Sequence, residues 1–231
     1  MFHTDPFALI FLFIALSLLP FAAMVATSYL KIVVVMSLIR NALGIQSIPP
    51  NMVINALAMI LTFYIMAPVA SEAWSIAKEE HAKTAVVQPV ERITPPGRGF
   101  VFETSAMEKA AEPFRTWLSN HTSDRDRAFF VRTAEHLWAK NPDEPARVDP
   151  DSFCILVPAF CVSELTKAFQ IGFLVYLPFI AIDIIVSNIL LAMGMMMVSP
   201  VTISLPFKLL LFVMVDGWTL LIQGLVRGYV I

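Results

Sequence analysis

At 231 residues, 58% of them hydrophobic and 15% charged, the chain is too apolar for an ordinary water-soluble domain, for which roughly 45–50% and about 25% are usual. Its mean hydropathy is +0.73, and a net charge of −2 gives no electrostatic ground for a nucleic-acid partner. The charges are segregated: 24 of the 34 lie between Lys78 and Asp151, so the order along the chain is apolar, polar, apolar.

Phe7–Leu30 carries no charge over 24 residues, against the roughly 20 needed to cross a bilayer, with Pro20 as a candidate kink inside it. Met1–Ile10 holds no Lys or Arg, so the positive segment of a signal peptide is missing and the run is expected to stay in the working protein. An apolar stretch from Lys31 to Ile39 leads to Arg40 and a breaker-rich segment, where Pro49 and Pro50 are expected to end the preceding helix. Met52–Ala73, with Glu72 its one charge, is a second candidate span. Lys31 and Arg40 are then the charges of a short connection between spans. The positive-inside rule places that connection in the cytoplasm and residues 78–151 on the periplasmic side.

The polar insert reads as a helical hairpin. Ile93-Thr-Pro-Pro-Gly-Arg-Gly99 is a turn-rich linker. Ser105 and Glu108 fit a capping box, after which Met107, Ala111, Phe114 and Leu118 recur at helical spacing. A second stripe, Phe130, Ala134, Leu137 and Trp138, begins after Ser123 and stops at Asn141-Pro142. A solvated spacer explains this segment better than an active site. The four histidines show no metal-ligand spacing, and no metal or cofactor is expected.

From Ser152 onward the apolar sequence contains Glu164, Lys167, Asp183, Lys208, Asp216 and Arg227, the first five of which punctuate its runs. A charge at the bilayer centre costs roughly 2.5–3.5 kcal/mol on insertion scales. Such features fit best where other subunits replace lipid. Glu164 and Lys167 are three apart and share a helix face, as an internal ion pair or as part of an intersubunit charge network. Reversing both charges is expected to recover part of what either reversal loses. Asp183, Lys208 and Asp216 pose the same alternatives. Lys208 and Asp216, eight apart, cannot touch on a straight helix, so their partners are expected on other helices or chains. Gly194, Pro200, Pro206 and Gly217 mark bends, and Gly194–Pro206 reads as a pore-lining loop. Cys154 and Cys161, seven apart in an apolar run, are too distant for a disulfide on one helix and read as packing residues.

The expected fold class is therefore all-α: an integral membrane subunit of helical hairpins with broken helices and a small helical periplasmic insert, divided at 1–77, 78–151 and 152–231. Neither a nucleotide-binding Gly-x-x-x-x-Gly-Lys-Ser/Thr loop nor a His-Glu-x-x-His motif occurs, and no catalytic triad is suggested by position, so no enzyme is expected. Glu164, Asp183 and Asp216 leave a proton-coupled transporter as the alternative. Such a protein should show matching repeats, and the two apolar halves share no motif.

Four segments carry a resemblance. Pro158-Ala-Phe-Cys-Val-Ser-Glu-Leu-Thr-Lys-Ala-Phe-Gln-Ile-Gly-Phe173 and Pro206-Phe-Lys-Leu-Leu-Leu-Phe-Val-Met-Val-Asp-Gly-Trp218 resemble the two signatures of the FliP/SctR family of flagellar and injectisome export proteins. Leu43-Gly-Ile-Gln-Ser-Ile-Pro-Pro-Asn51 and Met193-Gly-Met-Met-Met197 are similar to other segments of it, in the family's order. The resemblance implies a homopentamer that joins SctS-like and SctT-like subunits and other export-apparatus membrane proteins. Together they form a gate in the lipid of the bacterial inner membrane, and unfolded substrates pass along its axis. It implies that Met195, Met196 and Met197 form a compressible gasket, for which unbranched, polarizable side chains are suited. Val186-Ser-Asn-Ile-Leu-Leu-Ala192 and Ser199-Pro-Val-Thr-Ile-Ser-Leu-Pro206 lean toward the injectisome branch.

Overall fold

The computed structural model describes residues 6–45, 48–87, 104–139 and 147–230, and every regular element among them is a helix. The linker at Ile93–Gly99 and the stop at Asn141-Pro142 lie outside the described residues, as do the side chains of Ser105 and Met107.

The first apolar run is two helices rather than one. Helix α1 (Pro6–Val25) tolerates Pro20 in its interior and ends before the buried Ala26-Thr27-Ser28; α2 (Tyr29–Ala42) follows. Helix α2 is not ended by Pro49 and Pro50. It stops at Gly44, whose φ of 76° is open to a residue without a Cβ. The Gly44 and Ile45 amides donate to the carbonyls of Asn41 and Arg40, closing the helix in a Schellman turn. The two prolines instead lead into α3 (Asn51–Val87).

Helix α3 is 37 residues long, about 55 Å, and runs through the change in polarity at Lys78. Ala, Lys and Glu are all strong helix formers, so a rise in charge alone gives the backbone no reason to stop. Helices α4 (Thr104–His121) and α5 (Asp124–Leu137) form the hairpin, with Asp124 and Asp126 beside the positive end of α5. Helix α6 (Phe153–Ala192) continues for 40 residues without interruption at Glu164, Lys167 or Asp183. Helices α7 (Pro200–Met214) and α8 (Gly217–Arg227) complete the chain.

The helices belong to two compact units, residues 1–27 with 66–161 and residues 28–65 with 162–231. In the first, Trp117, Leu118, Ile155, Leu156 and Phe160 are buried, and the Trp117 and Phe160 rings stand 5.1 Å apart. The α5 stripe contributes less than its spacing suggests. Ala134 is buried, but Leu137 and Trp138 are exposed. In the second unit α2 is the centre, its Ile32, Val35, Met36 and Ile39 all within 1% of full burial. Gly172 of α6 packs on Leu38, and a Cβ there would lie 2.3 Å from the leucine Cδ1, so a larger residue would require that side chain to shift.

Residues 51–80 of α3 and the whole of α6 are long and apolar enough to cross a membrane. The pair α7–α8, bent by 60°, would be a third span if the two are one. The chain is an all-helical membrane protein.

Candidate functional site

Two charge clusters and one exposed loop hold most of the residues that the sequence singles out. All three lie in the second unit.

The first cluster is built on Glu164, whose side chain is fully buried on α6. Its Oε1 accepts from Lys167 Nζ at 3.0 Å, one turn along the same helix. Its Oε2 is paired with Lys31 Nζ at 3.0 Å and also accepts from the Tyr229 hydroxyl. Lys31 Nζ lies 3.5 Å over the centre of the Tyr229 ring, so the phenol meets the cation with its face and the carboxylate with its tip. Lys31 is 3% exposed, whereas the Lys167 side chain is 42% exposed. The inner pair is therefore sealed in protein, and Lys167 stands at its edge.

This places Lys31 differently from the sequence reading. It is no loop charge but a core residue of α2, so it cannot count toward the charge of a cytoplasmic connection. Arg40, the other charge in that count, is half-buried and ties the connection together by donating to Pro49 O at 3.3 Å and to Asn51 Oδ1.

The second cluster joins α6 to α7. Lys208 Nζ reaches Asp183 Oδ2 at 2.6 Å and the carbonyl of Ala42 at 3.3 Å, while Ser204 Oγ donates to Asp183 Oδ1 at 2.5 Å. Ser204 and Lys208 are four apart on α7, so one helix face grips both carboxylate oxygens. The Lys208 cation also sits at the last turn of α2, where the helix dipole is negative. Asp216 joins neither cluster. It is exposed at the break between α7 and α8, with a left-handed φ of 51°.

The loop between α6 and α7 runs over residues 193–199. The expected longer loop to Pro206 is corrected: Ser199 is the N-cap of α7, Pro200 stands in its first turn and Pro206 lies inside it. A helix accepts proline in its first turn because that N–H has no partner there anyway. The loop opens with a second Schellman turn, Gly194 at φ 71° with its amide on Leu191 O and the Met195 amide on Leu190 O. Beyond it Met195, Met196 and Met197 are 41%, 82% and 101% exposed, so the last two stand clear of the chain's own packing. Cys154 and Cys161 are free thiols, and Cys161 Sγ lies 3.4 Å from Val25 O. Among the described residues no three His, Cys, Asp or Glu side chains are grouped to hold a metal ion.

Residues 12–225 match the FliP family. The chain is 48% identical over 225 residues to the Yop proteins translocation protein R of Yersinia pestis, covering 97% of each chain. It is 47% identical over 222 residues to the hypersensitivity response secretion protein HrcR of Ralstonia nicotianae, covering 96% of each. It is 40% identical over 221 residues to the flagellar biosynthetic protein FliP of Bacillus subtilis, covering 96% of this chain and 90% of that one.

Proposed function

This chain belongs to the FliP family, and from that premise we propose that it is a pore-forming core subunit of a type III protein export gate in the bacterial inner membrane. The observation that carries the reading is end-to-end similarity, at 47–48% identity, to relatives named for secretion and translocation. The flagellar relative stands further off at 40%, which favours the injectisome branch.

In this reading five copies surround an axis together with SctS-like and SctT-like subunits, and unfolded substrates pass along it. The exposed Met195–Met197 loop supplies the seal. Its methionines leave their own subunit bare, as side chains must that pack instead against neighbours or a passing chain. The half-exposed Lys167, which keeps its bond to Glu164, and the exposed Asp216 are charges that neighbouring copies can reach. In this reading the α2–α3 connection is cytoplasmic and residues 78–151 face the periplasm, supported by an α3 long and apolar enough to cross a bilayer. The role requires no bond-making chemistry, and export energy comes from other components.

Deleting the gene should abolish secretion, and the intact chain should restore it. Purified in detergent, the 25.7 kDa chain should run as a homo-oligomer of five copies. A monomer that moves protons by itself would overturn the reading.

A further inference from the structure

The segment from Gly217 to Tyr229 is attached in an unusual way. At one end, α7 and α8 meet at a 60° bend across Val215 and Asp216, and Asp216 takes the left-handed conformation that a residue with a Cβ adopts only at a cost. A Cβ on the next residue, Gly217, would lie 2.3 Å from the Phe212 ring, so the bend closes directly onto that ring. Along its length α8 buries a single stripe, Leu221 and Leu225, continued by Tyr229, while Leu220 on another face is 60% exposed. At the far end Tyr229 donates to Glu164 Oε2 beneath the Lys31 cation.

The hydroxyl is not needed to satisfy Glu164. Oε1 already holds Lys167 and Oε2 already holds Lys31, each at 3.0 Å. A carboxylate with a lysine on each oxygen is not orphaned when the phenol leaves. Lifting α8 therefore does not strand a buried charge, the event that usually makes opening a core prohibitive. What lifting gives up includes one hydrogen bond to a charged group, a cation–π contact, the burial of Leu221, Leu225 and the Tyr229 ring, and the packing of Ile222 on the core. What it releases is the strained backbone at Asp216.

We propose that residues 217–229 form a hinged strap that swings at Val215–Gly217 and is latched shut over the Lys31–Glu164 pair by the Tyr229 hydroxyl. Opening uncovers the leucine stripe and the face of the ion pair, giving this unit a second state in which α8 can rearrange while the rest of the core stays folded. The inference stands on this geometry and does not depend on the export reading.

The test uses the full chain in native membranes, with Cys154→Ser and Cys161→Ser and a single cysteine at Leu225, read by its rate of modification with a membrane-permeant maleimide. Tyr229→Phe keeps the ring and removes the latch. It should raise the Leu225→Cys rate about ten- to a hundredfold, the worth of one hydrogen bond to a charged group. A cysteine at Val35, fully buried in α2, should react no faster in the same background. Asp216→Gly should slow the Leu225→Cys reaction, because glycine relieves the closed bend and is a poor residue for a straightened helix. An unchanged rate in Tyr229→Phe overturns the latch. An equal rise at Val35→Cys makes Tyr229 a general stabiliser and overturns it as well, and a faster reaction in Asp216→Gly overturns the hinge.

Discussion

At the residue scale, the informative group is Glu164. Its neighbour Lys167 was legible from a spacing of three, because helix geometry alone brings such residues together. Lys31 and Tyr229 were not legible, since they arrive from positions 133 before and 65 after it, and only the packing of α2 and α8 on α6 decides that. The same holds for Asp183 and Lys208, 25 apart. The extra partner changes what charge reversal should do. With Lys31 unchanged, Glu164→Lys combined with Lys167→Glu still buries two like charges against each other, so the double reversal recovers only part of what Glu164→Lys loses. Adding Lys31→Glu restores opposite neighbours and should recover assembly, as measured by the yield of detergent-stable oligomer. Lys31→Met alone leaves a sealed carboxylate with only its edge partner among the lysines. Removing one member of a buried pair costs about 3–5 kcal/mol, whereas exposed pairs are worth roughly 0–1 kcal/mol. Lys31→Met should therefore lower the unfolding temperature in detergent sharply and Lys167→Met only slightly. Equal losses in the two variants would refute the distinction between core and edge.

At the scale of elements, breaks were legible as a class but not one by one. Gly, Pro and charge all announce a possible stop, yet charges stop nothing here, because Glu164, Lys167 and Asp183 find partners along or across helices. Prolines also differ by position: Pro200 starts a helix, while Pro20, Pro68 and Pro206 are carried inside one. Two of the stops, after α2 and after α6, are glycines that reach positive φ, Gly44 and Gly194. Gly194→Val would force a β-branched residue into that conformation, a cost of about 1–2 kcal/mol or more, and should redirect the methionine loop. Replacing Met195, Met196 and Met197 together with alanine should instead leave the turn intact and the oligomer assembled. Conductance of small ions through membranes carrying the complex should then rise, because short side chains cannot fill an irregular gap. A tight membrane with normal assembly would remove the methionines from the seal.

At the scale of the whole molecule, polarity and compactness divide the chain differently. Charge density marks 78–151 as an insert, but the compact units exchange at 27/28, between α1 and α2, and at 65/66 and 161/162, inside the long helices α3 and α6 that the polarity run does not see. The all-helical membrane class was legible because composition and length of apolar runs suffice for it; the units were not, because they depend on which distant helices pack. Orientation is the property most affected. Its charge count rested on Lys31 and Arg40, and with Lys31 sealed in the core only Arg40 belongs to the connection. The helix itself supplies a firmer argument: residues 51–80 of α3, about 45 Å long, exceed the roughly 30 Å apolar thickness of a bilayer. If α3 spans, residues on either side of it face opposite compartments whatever the loop charges. Single cysteines at the exposed Asn41, before α3, and Asn120, on α4, report the two sides in a variant lacking Cys154 and Cys161. A membrane-impermeant maleimide applied to intact spheroplasts should modify Asn120→Cys and spare Asn41→Cys until the membrane is opened. The reverse pattern would keep α3 as a span and invert the orientation. Modification of both before opening would mean that α3 does not separate its ends, and the long apolar helix would then lie within the assembled gate rather than across lipid.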